Sequence, residues 1–178
     1  AGEKIAALGV SEPDAGSDLS SVACRATKVD AGYELSGTKI WTSNAHLADY
    51  AIVLCRTSDA DDRHAGLSQL IVDLHSPGVT VNPIPFLDGT EDFNEVVFQD
   101  AFMPDDYVLG EIDGAWKQAT SELAYERSGP ERFLETFYVL IELVRALGEK
   151  PDIRSAEGLG RLVAQLHTLR RMSVSVNG

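Results

Sequence analysis

Between Val22 and Phe98 the apolar residues fall in short runs separated by Gly-, Pro-, Asp- and Ser-containing turns. Val22 to Lys28 and Tyr33 to Ser36 flank Asp30-Ala31-Gly32, which reads as a hairpin turn. Tyr50 to Arg56 encloses the apolar run Ala51-Ile52-Val53-Leu54-Cys55, the pattern of a strand buried on both faces. Leu70-Ile71-Val72, Gly78 to Val81 and Glu95 to Phe98 add further strands, with Pro83 and Pro85 marking an irregular or edge position. Ser58 to Gly66 is polar and Asp-rich, an exposed loop. Short strands with turns at regular intervals predict an antiparallel sandwich or barrel up to about Asp106.

After Gly110 the period becomes helical. A helix from Asp113 or Gly114 carries Trp116, Ala119, Thr120 and Leu123 on one face, and Ser128-Gly129-Pro130 kinks or restarts it. Phe133, Phe137, Leu140, Ile141, Val144 and Leu147 follow at helical spacing and stop at Gly148 and Pro151. A last helix from Ser155 or Glu157 carries Leu159, Leu162, Val163, Leu166 and Leu169. The fold class is α+β: a β domain over residues 1–112, then helices over 113–178. The face made by Phe133, Phe137, Ile141 and Val144 exceeds what so short a chain covers. Self-association, or disorder after Arg132, is expected.

Two segments carry candidate chemistry. Val10-Ser11-Glu12-Pro13-Asp14-Ala15-Gly16-Ser17-Asp18 is a tight loop, with φ fixed at Pro13, a left-handed backbone permitted at Gly16 and local main-chain bonding open to Asp14, Ser17 and Asp18. Such a loop turns backbone N–H groups toward an anionic or carbonyl-rich ligand. The second is Lys39-Ile40-Trp41-Thr42-Ser43-Asn44 at the end of a later strand. Either segment alone reads as a surface turn, with Trp41 as core; the pair reads as a site.

Ser11-Glu12-Pro13-x-Ala15-Gly16-Ser17-Asp18 followed by Gly37-x-Lys39-Ile40-Trp41-Thr42-Ser43-Asn44 resembles the middle domain of the acyl-CoA dehydrogenases, flavoproteins that desaturate acyl-CoA thioesters. Phe98-x-Asp100-x-x-x-Pro104, Leu109-Gly110, Gly114 and Glu126-Arg127 extend the likeness to about Arg132. The resemblance implies FAD as cofactor and an acyl-CoA as substrate, with electron-transfer flavoprotein or a similar acceptor as partner. It places the Val10 and Ser11 backbone and the Ser11 hydroxyl at the pyrimidine end of the flavin. Trp41 and Thr42 lie along the ring and Ser43 near N5, while Gly16 and Ser17 serve the diphosphate or CoA side. A flavin takes hydride at N5, so donors that stabilise an electron-rich ring suit it. Ser11 and Ser43 stand where many relatives have Thr; the hydroxyl is kept.

Abstraction of the α-proton of a thioester needs a base, and the resemblance offers Glu126, whose basicity desolvation would raise. In the isovaleryl and long-chain branches the base lies on this helix just before an Arg. In most other branches it lies beyond Gly178, and a solvated Glu–Arg pair is the plain alternative. Arg127 suits a CoA phosphate. Acyl-CoA oxidase and a non-catalytic paralogue or subunit stay open as alternatives. The family has helices before this segment and after it, so the chain is expected to be a fragment with an incomplete helical bundle. Alone, it is expected to be inactive and to bind FAD weakly or not at all; whole, it is expected to form homo- or hetero-oligomers.

Charge narrows the field. Asp+Glu number 28 against Lys+Arg 15, a formal net charge of -13, which argues against nonspecific nucleic-acid or anionic-membrane binding. Cys24 and Cys55 lack metal-ligand spacing and the four histidines are scattered, so no metal site is expected. Two cysteines and no long apolar run point to a soluble, reduced setting, cytoplasmic in a bacterium or the mitochondrial matrix in a eukaryote.

Overall fold

A computed structural model of the chain describes residues 2–177. Eight strands form one mixed sheet: β1 (Ala6–Gly9), β2 (Arg25–Val29), β3 (Gly32–Ser43), β4 (Tyr50–Arg56), β5 (Leu67–Asp73), β6 (Val79–Ile84), β7 (Phe93–Pro104) and β8 (Val108–Leu109). Their order is β6-β7-β3-β2-β4-β5-β8, with β1 also paired to β4. Most neighbours are antiparallel, as the turn spacing predicts. The β1–β4 and β2–β4 pairings are parallel, which it does not. Ala6-Ala7-Leu8-Gly9 is too short and too small in side chain to display an alternating pattern, so β1 is silent in the sequence.

β4 behaves as its apolar run predicts, with Val53 and Leu54, on opposite faces, both fully buried. Ala26, Leu35, Val53, Leu70, Val96 and Met103 from five strands belong to one cluster, so the sheet coils about a single core. Burying a Leu or Val side chain contributes about 1.5–3 kcal/mol. β6, with Pro83 in it, forms one end of the strand order, where the missing N–H costs no ladder bond. Residues Asp59 to His64 are exposed, as expected.

One local expectation changes, and two features lie outside the pattern. The strand expected from Val22 begins only at Arg25, because the Ala23 and Cys24 N–H groups donate to the Glu12 carboxylate, at 2.6 and 2.9 Å, instead of to a neighbouring strand. In the β2–β3 turn the left-handed residue is Ala31 (φ 59°), not Gly32. Gly32 is required because Phe102 and the Met103 carbonyl of β7 leave no room for a Cβ. β3 and β7 both run for 12 residues, and their pairing slips twice: β7 carries an extra residue opposite Leu35–Gly37, and β3 carries one between Lys39 and Thr42.

The chain divides into two compact units, Ala1–Ala119 and Thr120–Gly178, and α1 (Ala115–Ser128) begins in the first and ends in the second. Its Ala115 and Ala119 are buried, and the Trp116 ring packs against His64 at a 42° tilt with centroids 4.3 Å apart. After Gly129-Pro130 follow α2 (Glu131–Leu134), α3 (Phe137–Leu147) and α4 (Ile153–Asn177). α3 stops at Gly148, whose φ of 65° reverses the chain. α4 starts ahead of its expected position because Asp152 caps it, accepting the N–H of Arg154 and Ser155 at 2.9 and 3.2 Å. The segment after Arg132 is helical, and Phe137, Val144, Val163 and Leu169 stand exposed on it. Among the described residues no helix is long and apolar enough to cross a membrane.

Candidate functional site

The first loop is a two-residue hairpin. Glu12 and Ala15 exchange both backbone hydrogen bonds, at 2.8 and 3.1 Å, leaving Pro13 and Asp14 as the corner. Gly16 has no left-handed φ among the described residues, so the corner does the turning expected of it. Asp18 bonds side chains rather than its own main chain. It accepts the Ser20 and Ser21 hydroxyls at 2.9 and 2.5 Å and pairs with Arg63. The Ser21 bond chiefly, then Ser20 and Arg63, hold its carboxyl down to about 2.

Sequence reasoning missed what joins the two loops. Ile40 N–H donates to the Ser11 carbonyl at 2.9 Å. Beneath that bond the Lys39 ammonium, with no exposure at all, donates to the Val10 carbonyl at 3.0 Å and to Glu12 Oε1 at 2.8 Å. The Glu12 carboxylate also takes the two N–H groups of Ala23 and Cys24. A buried ion pair holds only when its remaining lone pairs and protons are satisfied, and here the carboxylate has three donors. The motif residues Glu12 and Lys39 are therefore the staple that brings the candidate site together. Two charges on apolar-flanked motifs are the sole sequence signal for it.

The second loop is a strained bulge. Trp41 has φ 60°, an outlier for a bulky residue, and its indole is 54 % exposed. The ring meets Phe93 edge-to-face at 6.1 Å. Behind it lies a second residue the sequence reading missed. Buried Asn94 donates to the Thr42 carbonyl at 3.0 Å and contacts His46 Nδ1 at 3.0 Å. Asn94 shares the inward face of β7 with Val96 and Phe98, so a polar residue at an inward position was a readable signal. Asn44, left-handed at φ 53°, closes the loop by donating its N–H to Asp92 O at 2.7 Å.

What faces outward is a coherent donor set. Among the described residues the Ser11, Ser17 and Ser43 hydroxyls and the Ser11 N–H have no protein partner. Gly16, Ser17 and Ser43 are exposed, and the buried Thr42 hydroxyl is unpartnered. The Val10 and Ser11 carbonyls are already taken, so the backbone here offers donors rather than acceptors. A flat aromatic face beside unspent N–H and O–H donors fits a planar, carbonyl-bearing, nitrogen-rich ring. The buried thiols Cys24 and Cys55, pushed up by burial to about 11 and about 12, are inert.

Glu126 and Arg127 belong to the second unit. Both are exposed on α1, and Glu126 Oε1 accepts Arg132 Nη2 at 2.9 Å with its side chain 58 % accessible.

Known proteins point the same way. Residues 7–101 match the family described as acyl-CoA dehydrogenase, middle domain. The acyl-CoA dehydrogenase IpdE1 of Mycobacterium tuberculosis is 39% identical over 172 residues, covering 94% of this chain and 45% of the relative. The solved Tcur3481-Tcur3483 steroid ACAD is 31% identical with a TM-score of 0.74, covering 97% of this chain and 47% of that one. The ChsE4-ChsE5 complex from Mycobacterium tuberculosis is 26% identical with a TM-score of 0.77, covering 97% and 47%. The chain thus spans about half the length of these relatives. With the matched segment enclosing both stapled loops, the chain belongs to the acyl-CoA dehydrogenase family.

Proposed function

We propose that this chain supplies the flavin-facing wall of an FAD-dependent acyl-CoA dehydrogenase, which converts an acyl-CoA thioester to its trans-2-enoyl product. The observation that carries the reading is the coupling of the Ser11 and Trp41 loops through Ile40–Ser11 and Lys39–Glu12, with donors and an indole turned outward. Bound there, FAD would supply the hydride acceptor. The chain's own part is to hold and orient. Ser11 and Val10 N–H and the Ser11 hydroxyl would give the ring donors, with Trp41 against it and Ser43 toward its N5 side; the Thr42 hydroxyl, buried and unpartnered, would join only once uncovered. Gly16 leaves room for a phosphate to approach the backbone, and Ser17 offers it a hydroxyl. Prepaid rigidity of this kind lets binding energy go to orientation.

Glu126 is the candidate base and Arg127 the candidate CoA contact. In that role Glu126 must leave Arg132 and lose solvent, since a solvated, ion-paired carboxylate is a poor proton acceptor. That ion pair favours a second reading, in which the base comes from another segment and Glu126 is structural. Electrons pass to electron-transfer flavoprotein or a similar acceptor. The protein works as a homo- or hetero-oligomer, supported by the paired names of the solved relatives and by the bare apolar residues of α3 and α4.

The test is to titrate acyl-CoA thioesters of varied chain into the FAD-loaded full-length protein, following flavin absorbance and product. Bleaching with release of the 2-enoyl thioester is expected. Bound FAD that no acyl-CoA bleaches contradicts the activity. A Glu126→Gln variant that bleaches at the wild-type rate assigns the base elsewhere.

A further inference from the structure

The peptide unit joining Val10 to Ser11 is unlike its neighbour. In the next unit both ends are spent inside the loop, the Ser11 carbonyl on Ile40 N–H and the Glu12 N–H on the Ala15 carbonyl. In the Val10–Ser11 unit the carbonyl accepts a bond from the fully buried Lys39 ammonium at 3.0 Å, while the Ser11 N–H has no acceptor among the described residues. A cation on one end of an amide polarises the other, and hydrogen bonds in such a chain strengthen one another. We infer that Lys39 acts through the Val10–Ser11 amide to make Ser11 N–H a charge-assisted donor, and that Glu12 moderates it, so that the buried pair sets the preference of the site for reduced over oxidised flavin. Lys39 and Glu12 are then positioning residues that touch no ligand.

The inference rests on the flavin reading above and adds a direction to it. A two-electron-reduced flavin is the more electron-rich acceptor, so it gains more from a strengthened donor. Glu12, 2.8 Å from Lys39, opposes that gain by partial neutralisation. Lys39→Met removes the polarising charge, whereas Glu12→Gln keeps it and removes the brake. A merely structural staple loosens the loop in both variants and has no reason to move them in opposite senses.

The experiment uses the full-length protein and measures dissociation constants for oxidised and for reduced FAD in wild type, Lys39→Met, Glu12→Gln and the double variant. The readout is the ratio of the two constants. Relative to wild type, Lys39→Met should lose about tenfold more affinity for the reduced than for the oxidised form, the margin between a charge-assisted and a neutral hydrogen bond. Glu12→Gln should shift the ratio the other way. The double variant leaves no unpaired buried charge, so it folds even where a single variant fails, and it should follow Lys39→Met. Ratios that move together, or a double variant matching wild type, overturn the inference while leaving the flavin site standing. A wild-type protein that binds no FAD removes both.

Discussion

Replacing Glu12 by Ala should be among the most damaging single changes in the β unit. The carboxylate holds three donors: Lys39 Nζ at 2.8 Å, Ala23 N–H at 2.6 Å and Cys24 N–H at 2.9 Å. Its loss leaves a fully buried ammonium with only the Val10 carbonyl as a partner. Breaking a buried ion pair by deleting one member costs about 3–5 kcal/mol, and each N–H orphaned with it about 1–3 kcal/mol more, the contributions overlapping rather than adding. Domains of this size have about 5–15 kcal/mol in total, so Glu12→Ala should remove a large share of the stability. Lys39→Met should cost less, because the carboxylate keeps two N–H donors. In Glu12→Gln/Lys39→Met both charges go, and at least half of the loss caused by Glu12→Ala should return. The assay is urea unfolding followed by circular dichroism, with slopes checked for equality before midpoints are compared. A Glu12→Ala loss below about 1 kcal/mol would refute the staple. So would a cycle through Glu12→Gln and Lys39→Met without coupling.

Four further changes separate fold from site. Gly16→Ala should leave stability unchanged or raise it by up to about 1 kcal/mol, since its φ is not left-handed and nothing lies within 4 Å of the added Cβ; any fall in FAD or acyl-CoA affinity then reports ligand approach to the backbone. Gly37→Ala should destabilise strongly in thermal melts, because φ is 142° and the new Cβ would sit 2.8 Å from Cys24 Cα. Asp18, held to about 2 in the folded chain against 3.8 for the free group, contributes stability that is complete above pH 4 and fades as pH falls toward 2. Melting temperatures of wild type and Asp18→Asn should therefore converge over that interval, and a gap that widens with acid would contradict the sign. Sedimentation velocity should show concentration-dependent self-association, weakened by Val144→Glu on the exposed face of α3.

Much of the β unit is legible in local pattern. The run Ala51 to Cys55 has the composition of a strand with two buried faces, and Pro83 declares an edge. What the pattern hides is long-range. β1 carries no periodicity and shows itself through its parallel pairing with β4. β2 starts late because a carboxylate 11 residues upstream of Ala23 competes for its N–H. Ala31, Trp41 and Asn44 are left-handed although local rules look for glycine at such positions, because β-bulges and the close passage of β7 decide where each side chain fits. At the candidate site, Ser11, Trp41 and Ser43 could be picked out through the resemblance their motifs carry. Glu12, Lys39 and Asn94 could not be assigned their work, since a buried polar residue declares its role only once its partners are known. Asp152, two residues ahead of Arg154, is a cap that residue type alone makes readable.

The central claim is that the stapled Ser11 and Trp41 loops form one wall of a flavin site. It is tested most directly by titrating FAD, with flavin fluorescence as signal, into the full-length protein as wild type and as Trp41→Ala. The exposed, strained Trp41 contributes little to the core, so the variant should melt within a few degrees of wild type. The account predicts stoichiometric FAD in wild type and an affinity at least about tenfold weaker in the folded variant, the equivalent of one lost aromatic packing contact. Equal FAD affinity in the two would contradict it.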